Sequence, residues 1–119
     1  GAPEALSPVA RSLLKRRMNQ HAQAVRRLVD SVLMLRYDEA QVAANIILDQ
    51  PFLARPIPGS SEINSEIPER FYVLQDNLKE AAQGVLASAA KRNPEALGQS
   101  FQQLSQTCVA CHAVFLPQR

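Results

Sequence analysis

The chain has no Trp, and its 119 residues hold only two Tyr and four Phe. With aromatics this scarce and no long β-branched runs, a β-sandwich or barrel is disfavoured, because strands draw on those side chains. Two cysteines are too few for a disulfide scaffold. No apolar run reaches the roughly 18 to 20 residues that a membrane span needs. No stretch has the make-up of a secretory signal either, so an exported protein would stand here in its mature form. An excess of one charge is missing too: 13 basic side chains face 11 acidic ones for a net +2, which gives no support to a nucleic-acid partner. Four Gly and eight Pro exclude a collagen-like chain, and 46% hydrophobic residues exclude a disordered one.

What is plentiful is Leu, Ala and Gln, the residues of helices. The length suits a single domain over residues 1–119. Ser7-Pro8 pairs a capping residue with a proline in the first turn and opens a helix running to about Arg36. Its inner positions are Leu14, Met18, His21, Val25, Leu28, Val32 and Leu35, alternating by fours and threes as in a bundle. Asp38, with Gln41 three residues on, reads as a capping box for a shorter helix to about Asp49 that buries Val42, Ile46 and Ile47. Residues 50–67 hold Pro51, Pro56, Pro58 and Gly59, a long crossover that frees helices two and three from being tight antiparallel neighbours. Pro68-Glu69 starts a third helix with Phe71, Leu74, Leu78, Ala81, Ala82, Val85 and Ala89 inward, ending near Lys91 and Arg92. Asn93-Pro94 starts a fourth, which Pro117 stops. The expected fold is all-α, an up-down-up-down four-helix bundle.

Seven basic residues (Arg11, Lys15, Arg16, Arg17, Arg26, Arg27 and Arg36) fall in the first helix region, with Asp30 alone opposing them. A DNA-binding helix carries such a run, but it is most simply a solvated helix face.

Chemistry is concentrated in Cys108-Val109-Ala110-Cys111-His112. Leu97, Phe101, Leu104, Cys108, Cys111 and Phe115 follow each other by four and three, so both thiols fall on the inner stripe of the last helix. Thiols one turn apart can add to the two vinyl groups of a haem, and the adjacent His112 can then bind the iron, which is why C-x-x-C-H signals c-type haem attachment. A thioredoxin-like pair would instead follow a strand at a helix start. A zinc site needs a fourth ligand, and only His21 offers a further imidazole. That arrangement stays open, as do a structural disulfide and two unreactive buried thiols.

The motif seven residues from the C-terminus, the helix opening Tyr37-Asp38-Glu39-Ala40-Gln41-Val42-Ala43-Ala44-Asn45 and the turn Pro58-Gly59-Ser60 together resemble the class II cytochromes c. These are the cytochrome c-prime family and its low-spin relatives of the cytochrome c-556 type. The resemblance spans nearly the whole chain. It implies one covalent haem c per chain within the bundle near the C-terminal helix, His112 as proximal ligand, and a distal position on the first helix at or beside Met18. Met18 would otherwise be gap-filling core. As a ligand, its thioether would favour ferrous iron and close the sixth site. His21, three residues on, is the rival, though a buried and hydrogen-bonded histidine is the simpler expectation; Met34 lies too far along to reach the same iron. Leu116 and Leu14 stand where many members carry arginine, and Lys15 or Arg11 is offered for the haem propionates by charge and phase.

The expectation is therefore a non-enzymatic electron carrier with low-spin His112/Met18 iron, in a pocket of Leu14, Val25, Phe71, Leu78, Phe101, Leu104 and Phe115. The alternative is a five-coordinate cytochrome c-prime that binds NO or CO. Implied partners are redox proteins of acidic character, with no nucleic acid and no membrane span, and the chain would be a monomer or homodimer. Haem attachment of this type implies a periplasmic or otherwise exported location.

Overall fold

Ser7 closes the front of the first helix: its Oγ accepts the Ala10 N–H at 3.1 Å, and Pro8 sits in the first turn where no N–H is missed. The same hydroxyl donates to Glu66 Oε2 at 3.0 Å. In the computed structural model, residues 6–49, 52–59 and 66–116 are described, and among them the chain is all helical with no strand. The helices are α1 (Pro8–Leu33), α2 (Tyr37–Asp49), α3 (Glu69–Ala90) and α4 (Pro94–Phe115), packed as a four-helix bundle. Pro117, expected to stop the last helix, lies outside the described residues, as do Pro51 and Ser60 of the connection.

α1 ends three residues before Arg36. Leu35 turns to φ 54, and the chain closes with Arg36 N–H to the Ser31 carbonyl at 2.8 Å and Leu35 N–H to the Val32 carbonyl at 3.2 Å. This is the usual glycine-type helix stop with leucine in the glycine's place. Leu35 is consequently exposed and not on the inner stripe. α2 starts one residue before its expected cap: the Arg36 carbonyl takes the Ala40 N–H, and Asp38 lies in the first turn with its carboxylate accepting from Arg92 Nη1 at 3.2 Å. Val42 faces outward, and the buried side of α2 is Ala40, Ala43, Ala44 and Ile47. Asn93 caps α4 as expected, accepting the Ala96 N–H at 3.0 Å.

Short turns join α1 to α2 and α3 to α4, and α2 packs closely on α3 despite the longer connection between them. The reason is size: Ala40, Ala43 and Ala44 on α2 and Ala81, Ala82 and Ala89 on α3 are all buried, and small side chains let helix axes approach. α1 and α4, by contrast, barely meet. Burial divides into two clusters. The larger joins Ala24, Leu28 and Val32 of α1 to α2, to Ala81–Ala89 of α3 and to Leu97 and Leu104 of α4. The smaller holds Ala10, Leu14, Leu53, Ile67 and Tyr72.

Candidate functional site

Between the two clusters, three helices change character at the same height. On α1, Leu14 belongs to one cluster and Ala24 to the other, and the residues between them that face inward are Arg17, Met18 and His21. On α3, Tyr72 and Ala81 mark the two clusters, with Leu74, Gln75 and Leu78 between, and Phe71 just before Tyr72. On α4, Leu104 and the buried Phe115 bracket Thr107, Cys108, Cys111 and His112. These stretches line one narrow, partly open cleft with a cavity volume of about 60 Å³. Because α1 and α4 hardly touch, the cleft is the space between them, with α3 as its floor.

One edge is closed by Phe52 and Leu53, and this short strap is fastened to α3 through side chains. Gln75 takes the Leu53 N–H on Oε1 at 3.0 Å and donates from Nε2 to the Leu53 carbonyl at 2.9 Å. Arg55 pairs with Glu69 at 3.1 Å and Asp76 at 2.9 Å, with its guanidinium 5.7 Å from the centre of the Tyr72 ring. Lys79 Nζ lies 5.5 Å from the centre of the Phe52 ring.

The four residues singled out by sequence, Cys108, Cys111, His112 and Met18, all line the cleft, and so does His21. Both cysteines are free and half-buried. Desolvation raises both thiol pKa values, and the neighbouring Cys108 raises that of Cys111 further. Thioredoxin-type thiols sit at a helix start, whereas these lie in the last two turns of α4. The His21 pKa is lowered, first by burial and then by the charge of Arg17, which keeps the imidazole neutral at neutral pH. His21 is buried as expected, but no hydrogen bond holds its ring among the described residues. Met18 is 40% exposed, at the mouth.

Among the described residues, no three His, Cys, Asp or Glu side chains come together to hold a metal ion. The set weighed for zinc, Cys108, Cys111, His112 and His21, therefore shares a cleft without closing on one point.

Several expectations for the pocket wall are corrected. Of Leu14, Val25, Phe71, Leu78, Phe101, Leu104 and Phe115, only Phe71 and Leu78 line the cleft; the others pack in or against the flanking cores or, for Phe115, edge-on to Phe71 at 5.9 Å. Arg11 and Lys15 do not line it, and Arg17 does. The signal for Arg17 was present, since it lies four residues before His21 and so on the same side of the helix. Phe52, Leu53 and Gln75 had no such signal, because a connection without periodicity cannot be phased onto a wall. Compared with protein-family models, curated proteins and solved structures, the chain matches none.

Proposed function

We propose that the cleft takes one haem, held covalently by Cys108 and Cys111 and ligated by His112 and Met18, and that the protein is an electron carrier of the class II cytochrome c kind. The observation that carries this reading is the donor arrangement. Two thiols and an imidazole on α4 and a thioether and an imidazole on α1 line one apolar cleft, and among the described residues its thiols and imidazoles form no cluster of three that could hold a bare ion. A bare ion needs convergent donors within about 2 to 2.5 Å. A flat apolar group with a metal at its centre needs donors on two opposite walls and thiols at one edge.

A bound haem supplies reversible one-electron chemistry between ferric and ferrous iron. The chain's own residues do the rest. Cys108 and Cys111 fix the group's position and His112 donates a nitrogen. Met18 donates a soft sulfur that favours the reduced state. Phe71, Leu74 and Leu78 exclude water and lower the local dielectric, and the Arg17 cation at the wall suits an acidic substituent of the group. No side chain is needed as acid, base or nucleophile, so the reading is non-enzymatic. Covalent attachment implies maturation outside the cytoplasm.

A second reading of the sixth ligand rests on a specific contrast: His21 is buried and held by no hydrogen bond among the described residues, whereas Met18 is 40% exposed. Optical spectra of oxidised and reduced protein, with and without CO, decide between them together with Met18→Ala. With Met18 as ligand, the wild type is low-spin and indifferent to CO, and Met18→Ala becomes high-spin in the ferric state and binds CO. A variant that stays low-spin gives the position to His21. A high-spin wild type that binds CO makes the protein a gas binder. A folded but colourless protein, made where haem attachment operates, overturns the reading as a whole.

A further inference from the structure

Arg36, Arg55 and Arg92 each hold a carboxylate: Arg36 pairs with Asp30 at 3.3 Å, Arg55 with Asp76 at 2.9 Å, and Arg92 with Asp38 at 3.2 Å. Along α1 the pattern is different. Arg11, Lys15, Arg16, Arg26 and Arg27 are exposed and have no ion-pair partner among the described residues. No acidic residue lies between Pro8 and Val29, and all 11 of the chain's acidic side chains fall elsewhere. The molecule is therefore polarised, with one cationic helix against an acidic remainder. Unrelieved like charges on one helix oppose folding, and nothing within the described chain offsets them.

The five cations divide by helical phase. Arg11, Lys15, Met18, Ala22 and Arg26 follow by four, three, four and four, which places three cations on the side of α1 that carries Met18. Arg16 and Arg27 lie on another side. Met18 is the exposed member of the cleft's sulfur and imidazole donors, and beside it α1 has little contact with α4. The first stripe thus flanks the cleft's mouth.

We propose that the Arg11–Lys15–Met18–Arg26 side of α1 is the face on which an acidic protein partner docks to exchange electrons with the cleft; its redox part rests on the haem reading above. An apolar centre of Met18 and Ala22 bordered by arginine and lysine has the anatomy of a protein–protein contact, in which methionine and arginine are enriched. Single-stranded nucleic acid would call for aromatic side chains on which bases stack, and the stripe has none. A lipid surface would call for a broad apolar face with large side chains, and here Met18 stands nearly alone. Charge complementarity then acts on encounter: an acidic partner is steered to the helix where its electron has the shortest way in or out.

The test uses the reduced holoprotein, oxidised by hexacyanoferrate(III), which takes one electron and becomes hexacyanoferrate(II). Two variants, R11E/R26E and R16E/R27E, change the net charge equally, and matching circular dichroism and optical spectra establish that both fold and carry haem. At low salt R11E/R26E should be oxidised about tenfold more slowly than R16E/R27E, and the gap should close as salt rises. Poly-L-glutamate should bind the wild type and R16E/R27E and lose R11E/R26E. Equal losses in the two variants would assign the effect to net charge and overturn the docking face. So would failure to bind poly-L-glutamate alongside tight binding of a DNA duplex or of phosphatidylcholine–phosphatidylserine vesicles. If the protein carries no haem, the haem reading fails by itself, and the poly-L-glutamate comparison still decides the face.

Discussion

Met18 and His21 stand three residues apart on one helix and meet different surroundings, and the difference is chemical as well as geometric. Burial and the Arg17 charge depress the His21 pKa below its ordinary 6.5. The unfolded chain then binds a proton more readily than the folded one, so stability tied to His21 is complete above pH 6.5 and falls as the pH drops through the lowered folded value. Urea unfolding of the haem-free protein should show this loss on the acid side of pH 6.5, and His21→Gln should flatten it. The periodicity of α1 puts both residues on the inner stripe; His21 is buried there, whereas Met18 lines the cleft but is exposed. Periodicity did not reveal that Arg17 joins them, because a basic run reads as solvated surface and only the folded structure separates Arg17, which lines the cleft, from the other six, which are exposed.

The connections hold what the helices themselves do not decide. At the end of α1, Leu35 occupies a left-handed conformation that costs an L-residue roughly 1–2 kcal/mol and costs glycine nothing. The side chain is exposed, so Leu35→Gly should raise the stability by up to about 1 kcal/mol after the added freedom of the unfolded chain is counted. Denaturant midpoints with unchanged slope would measure it. The same leucine explains why the sequence suggests a longer α1: nothing at positions 34–36 resembles a helix stop. The strap from Phe52 to Arg55 was equally illegible, since its order comes from Gln75, Glu69, Asp76 and Lys79 on a distant helix. Gln75→Leu should leave the Leu53 N–H and carbonyl without their partner and destabilise the protein by about 1–3 kcal/mol. Caps with side-chain oxygens, at Ser7 and Asn93, were by contrast readable directly, because the capping residue and its proline are adjacent in the chain.

Taken as one body, the protein is two apolar cores with a cleft between them. Helical phase assigns faces but not the pairing of heights between helices, so the separation of Leu14 from Ala24 by a lined gap appears only when the three helices stand together. The alanine-lined contact of α2 with α3 and the side-chain fastening of the strap have a joint outcome for connectivity. Neither depends on an unbroken chain beyond Pro58. Gly59, exposed and at φ 80, suits a protease site introduced there. After cleavage, a piece ending in α2 and its strap should remain clasped to a piece made of α3 and α4. The two should migrate together through a sizing column, with their helical signal intact, and part only in denaturant. The cleft would then be a joint between two separable halves, so that whatever fills it also serves as their rivet.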